Sequence, residues 1–96
     1  MLIWVMYDIT HPRRLTRMAK ICLRAGTYRV QKSVYVGNLN KNQVDQLRLE
    51  LKDAMEPKTD SVYLFPMNRE DFDKANLMGR AFSRAMITDA IRELIL

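Results

Sequence analysis

Apolar and polar positions change their spacing several times along the chain, and each change marks an element. Leu2 to Tyr7 (LIWVMY) form an unbroken apolar run, which predicts a short strand covered on both faces. The run stops on Asp8 with no polar lead-in. From Pro12 the spacing becomes helical: Leu15, Met18, Ala19 and Cys22 gather on one face. Pro12 suits a first helical turn, where its missing N–H costs nothing, and Gly26 is a natural residue just past the end, so a helix to about Ala25 is expected. Residues 28–37 (YRVQKSVYVG) alternate, with Val30, Val34 and Val36 on one parity and Arg29, Gln31, Ser33 and Tyr35 on the other. They predict strand that breaks in two near Gln31-Lys32. Asn40 with Gln43 three residues on resembles a capping box and opens a second helix, about 40–55, with Val44, Leu47, Leu51 and Ala54 or Met55 as its buried stripe. Glu56-Pro57 ends it, and Ser61 to Met67 (SVYLFPM) reads as a last apolar strand closed by Pro66.

The order strand–helix–strand–strand–helix–strand predicts an α+β fold, a ferredoxin-like sandwich with both helices on one face of an antiparallel sheet. This core takes residues 1–67. Residues 68–96 form a C-terminal extension, polar at first and then apolar at Met86, Ile87, Ala90, Ile91, Leu94 and Ile95, a spacing that predicts a helix over 83–96. Such a helix needs a surface to cover, either the exposed sheet face or a second subunit. At 96 residues the chain holds one core, and so small a domain is a natural candidate for dimerisation.

Charge changes the picture. The net charge is +5, but residues 1–36 carry seven basic groups against Asp8 alone, and the remaining nine basic and ten acidic groups give −1. On the first helix Arg13, Arg17, Lys20 and Arg24 form a ridge opposite the apolar face, with Arg14 on its flank and no acid on the helix. A helix kept only for solubility would mix signs and gain i,i+4 pairing. The asymmetry points to a polyanion, with nucleic acid first. The amino-terminal run is too short to span a bilayer and lacks a signal peptide's basic lead and cleavage site, so a cytoplasmic protein without membrane contact is expected. Cys22 is the sole cysteine, which excludes an internal disulfide and a CxxC metal site.

Several chemistries fall away. No glycine-rich loop precedes a helix to cradle phosphates, and one histidine, His11, makes no two-histidine metal motif. RVQKSVYVG lacks the leading glycine and paired aromatics of an RNA-stacking strand. Asp8 remains. A turn role before the helix and a functional role are about equally supported by its position. As a functional group among arginines it would be a hard oxygen ligand for Mg²⁺ or Mn²⁺, held with water and substrate phosphate. One carboxylate per chain is few, so metal binding calls for a two-fold axis that brings two Asp8 groups together.

MYDITH, RRLTRMAK, YRVQKSVYVGNL and the SVYLFPM strand after a second helix together resemble the small CRISPR-associated adaptation proteins, the Cas-two family. The resemblance runs over about residues 1–67. Its most specific part is YD at the end of the first strand, followed some twenty residues later by RVQxSV(Y/F)xG. It implies a ferredoxin-like homodimer with the two Asp8 groups facing each other, and a metal-dependent endonuclease acting on single-stranded RNA or double-stranded DNA. By resemblance Asp8 takes the metal-ligand and catalytic position with Tyr7 beside it, Arg14, Arg17 and Arg29 fall on functional basic positions, and Tyr35 stands where phenylalanine is usual. The resemblance equally implies a non-catalytic role, in which the dimer clamps duplex DNA and bridges Cas-one integrase subunits during spacer acquisition. The helix read over 83–96 departs from the family, whose members often end in a strand that pairs across the dimer.

Overall fold

The computed structural model describes residues 1–76 and residue 78. Its elements are β1 (Leu2–Asp8), α1 (Pro12–Arg24), β2 (Tyr28–Gln31), β3 (Val34–Asn38), α2 (Lys41–Ala54), β4 (Ser61–Met67) and α3 (Arg69–Lys74). The four strands form one antiparallel sheet in the order β2-β3-β1-β4. The apolar run is therefore the central strand β1, paired on both sides, as an unbroken apolar segment requires. The helix expected over 83–96 lies outside the described residues.

Local chemistry sets each boundary. Pro12 opens α1, and Gly26 leaves it at φ +94°, a backbone region costly for any side chain. Thr27 then donates its hydroxyl to the Cys22 carbonyl at 2.7 Å, closing the helix end. Gly37 is needed for another reason: an added Cβ would lie 3.0 Å from the Thr27 backbone. Asn40 and Gln43 form the expected reciprocal capping box, each bond 2.8 Å long. The break at Gln31-Lys32 is a turn, preceded by a register shift between Arg29 and Gln31. Pro66 does not close β4. It lies within the strand, opposite Ile3, on the outer edge where no ladder N–H is required.

The two sheet faces are covered unequally. On the helix side Ile3, Val5, Tyr7, Ile9 and Tyr35 pack with Met18, Ile21 and Cys22 of α1 and Leu47, Leu51 and Ala54 of α2. On the other face Leu2, Trp4, Val30 and Val36 are covered in part by Phe72 of α3, whose ring lies 6.1 Å from that of Trp4. Tyr63 and Phe65 on the same face stay about half exposed and stack on each other.

Candidate nuclease centre and cationic flank

Asp8 is the last residue of β1 and is solvent-exposed. Alternation along the strand gives it the parity of Leu2, Trp4 and Met6, the face that α1 and α2 leave open and α3 covers only in part. Its register partner is Ser61, and the next open-face pair is Met6 with Tyr63. β4 pairs with its backbone, and the preceding Tyr7 N–H donates to the Ser33 carbonyl at 3.1 Å, so the carboxylate is presented from a supported strand end beside an exposed aromatic pair. Among the described residues no group of three metal-ligating side chains converges. Asp8 offers one hard oxygen donor per chain, a set that fits a hydrated divalent ion only if a second carboxylate arrives from elsewhere.

Tyr7 is placed differently from the expectation that put it beside Asp8. Successive strand residues face opposite ways, and the Tyr7 ring enters the helix-side core at 6% exposure. It stacks near Tyr35 and donates its hydroxyl to the Tyr35 hydroxyl at 3.1 Å. Burial, and then that hydrogen bond, push the phenol far above its ordinary range, so it stays protonated. Tyr35 in turn carries Arg29: the guanidinium carbon lies 5.7 Å from the ring centroid, and two guanidinium nitrogens donate to the Lys32 carbonyl at 2.7 and 3.2 Å.

The basic positions on α1 separate into three groups. Arg14 is turned inward and grips Asp60 with two hydrogen bonds of 2.8 and 3.2 Å, tying the start of α1 to the loop before β4. The Asp60 side chain is fully buried. It also accepts from the Glu56 N–H and the Thr59 hydroxyl, and the Arg14 bond, foremost, holds its carboxyl below the usual range. Arg14, which the resemblance placed on a functional basic position, is thus engaged as a strut. Arg17 meets Asp53 of α2 at 3.6 Å, but both groups are well exposed, so this pair is worth little and yields to a competing anion. Arg13, Lys20 and Arg24 are exposed and carry no acidic partner among the described residues.

Lys20 leads to a feature that the sequence did not single out. Between α1 and the β2–β3 turn lies an open cleft of ≈ 530 Å³ that reaches the end of β1 at Tyr7, Asp8 and Ile9. Lys20, Arg29 and Lys32 bring positive charge to it from three separate segments. Lys32 was legible only as part of the charge excess, because a turn lysine has no periodicity to mark it.

An antiparallel ferredoxin-like sheet that presents an exposed carboxylate at the end of its central strand, flanked by cations without an acidic partner among the described residues, defines a small domain suited to phosphate chemistry. The family model described as CRISPR associated protein Cas2 matches residues 1–75, and the chain belongs to that family. It is 28% identical over 81 residues to a CRISPR-associated endoribonuclease Cas2 of Chloroflexus aurantiacus, covering 84% of this chain and 95% of that one. With the CRISPR-associated endoribonuclease Cas2 of Chlorobaculum tepidum it shares 40% identity over 70 residues, 68% of this chain and 72% of the relative. The crystal structure of Streptococcus pyogenes Cas2 superposes with a TM-score of 0.73 at 26% identity, covering 82% of this chain and all of that one. No helix among the described residues is long and apolar enough to cross a membrane.

Proposed function

We propose that this chain is a CRISPR-associated, metal-dependent endonuclease that works as a homodimer, with RNA as its first substrate. The two relatives are endoribonucleases by name, which supports the RNA assignment. The observation that carries the reading is the exposed Asp8 at the end of β1, on the partly covered sheet face and next to the Tyr63–Phe65 pair. A second copy seated on that face brings a second Asp8 to the first and supplies the donor that a single chain lacks. Asp8 from each chain would hold Mg²⁺ or Mn²⁺, together with water and phosphate oxygens. A divalent ion in such a site activates water and offsets charge developing on the phosphate. Of the chain's own residues, Asp8 presents the ligand oxygens and Tyr7 supports the strand end from below. Tyr35 and the Lys32 carbonyl hold Arg29, and the exposed cations draw in the backbone. The test compares wild type with Asp8→Asn on labelled RNA and duplex DNA, with Mg²⁺ and with chelator. Equal cleavage by both proteins removes the proposal.

A second reading is favoured by Arg13, Lys20 and Arg24, which are exposed and unpaired among the described residues. Phosphate contacts hold a duplex without reading its sequence, which suits a scaffold that grips arbitrary DNA between integrase subunits during spacer acquisition. Under that reading Asp8→Asn leaves acquisition intact, and reversing these three charges abolishes it.

A further inference from the structure

We infer that the cleft between α1 and the β2–β3 turn binds one unstacked nucleotide of a single strand, its phosphate among Lys20, Arg29 and Lys32 and its base against the apolar flank of α1. The inference rests on the nucleic-acid reading above and places the substrate strand within each chain. Along α1, Thr16, Ala19, Lys20 and Leu23 recur at i, i+3, i+4 and i+7 and so form one stripe. That stripe runs along the border between the core face, which Ala19 shares, and the ridge, which Lys20 shares. It lines the cleft, with Leu15 beside it. Leu23 is 50% exposed there, an apolar side chain that the described residues leave half open.

The hairpin side of the cleft carries Arg29 and Lys32, and Lys20 adds a charge from the α1 side. Arg29 is held in place by the Lys32 carbonyl and the Tyr35 ring, so it needs little ordering on binding. Lys20 and Lys32 carry no ion pair among the described residues. The Thr16 hydroxyl is already spent on the Pro12 carbonyl at 3.1 Å, so Thr16, Ala19 and Leu23 make an apolar flank beside Lys20. A cavity of ≈ 530 Å³ falls within the range of about 300–1,000 Å³ typical of ligand pockets. An apolar flank bordered by three positive charges, one of them held in place, is the complement of a base joined to a phosphate. A duplex keeps its bases paired and stacked and cannot offer one without extruding it. A single strand offers every base.

The experiment measures binding alone, in chelator, so that cleavage plays no part. Fluorescence anisotropy follows a labelled oligouridine and its matched duplex on wild type, Leu23→Ser, Leu23→Gln, the double variant Lys20→Ala/Lys32→Ala, and the remote control Lys52→Ala. Loss of the apolar wall is expected to weaken single-strand binding about fivefold or more while duplex binding holds. The double variant should flatten the single-strand salt slope by about 1.4, at roughly 0.7 per lost contact. A 4-thiouridine strand should crosslink within residues 15–33 of the wild type, which tests the site without any substitution. Unchanged single-strand affinity in the Leu23 variants, equal loss for duplex and single strand, or crosslinks confined elsewhere overturns the inference. Failure of the nuclease reading looks different: Asp8→Asn then cleaves as wild type does, whatever the cleft binds.

Discussion

Replacing Asp8 by Asn is the sharpest perturbation of the proposed centre. The side chain is exposed, its shape is preserved, and none of the described contacts of the fold depends on it, so the melting temperature should hold. What changes is the charge offered to a divalent ion. Metal charge stabilises a phosphoryl transition state by several kcal/mol. Each ~1.4 kcal/mol is a factor of ten, so losing about 4 kcal/mol lowers the rate about a thousandfold.

The stronger test uses mixed dimers. One chain supplies one carboxylate, and no other cluster of ligating residues exists among those described. If both Asp8 groups of a two-fold dimer serve one centre, activity follows the square of the wild-type fraction. Wild type and Asp8→Asn co-refolded in equal amounts then keep about one quarter of the activity. If each chain acts alone, the same mixture keeps about half. The assay is initial cleavage of labelled RNA across a series of mixing ratios, with subunit exchange verified by mass. A straight line through that series would refute the shared centre, and a full rate for Asp8→Asn alone would refute the role of Asp8 altogether.

Tyr7→Phe removes one buried hydrogen bond to Tyr35; it should cost about 1 kcal/mol, or about 4–8 °C in a domain of this size, and leave the cleavage rate unchanged. A lost rate at an intact melting temperature would instead make the Tyr7 hydroxyl a reacting group. Stability against pH should fall at both extremes. Burial pushes the Cys22 thiol from its ordinary 9.0 up to about 12, so its contribution is complete below pH 9 and is lost as pH rises toward 12. Asp60 is depressed below its ordinary 3.8, so its contribution is present above that value and is lost as pH falls through the lower folded value. Arg14→Ala should lower the melting temperature at neutral pH and flatten this acid limb, whereas Arg13→Ala should change neither; both are read by thermal melts across pH. Tyr63→Lys with Phe65→Lys should weaken self-association about tenfold or more with little effect on the monomer. Sedimentation measures it, and an undisturbed dimer would place the interface elsewhere.

Local signals carried the order of elements. The apolar run, the Pro12–Gly26 brackets and the Asn40–Gln43 box each act within a few residues, and each appears where the spacing placed it. Long-range partners were not legible. Asp60 is 46 residues from Arg14, and nothing in RRLTRMAK marks one arginine as a strut and its neighbours as free. Tyr35 sits on the polar parity of its strand yet is fully buried, because a central position between β1 and β2 puts both faces of β3 inside. Phe72 is the one apolar residue in a charged segment; its packing on Trp4 follows from Asn68 capping α3, which no periodicity announces. For the candidate centre, Asp8 was legible because a charge ending an apolar strand is unusual. The cleft was not, since its cations come from three separate segments.

The uneven covering of the sheet explains why the parts of the proposed site lie where they do. On the helix side every large apolar group of β1 finds a partner, and the cost of burying the Tyr7 hydroxyl is offset by Tyr35. On the open face the Trp4 indole N–H is buried without an acceptor among the described residues, and two aromatic rings stand half exposed. Those exposed rings are apolar area that association would remove from water, so that face is where a second subunit would gain most. Asp8 belongs to it by parity, and the cationic cleft opens instead between α1 and the hairpin turn. That same residue, on the face that would meet a second subunit, also borders the cleft that would hold a nucleic-acid strand. Assembly and strand binding would therefore meet at the last residue of β1.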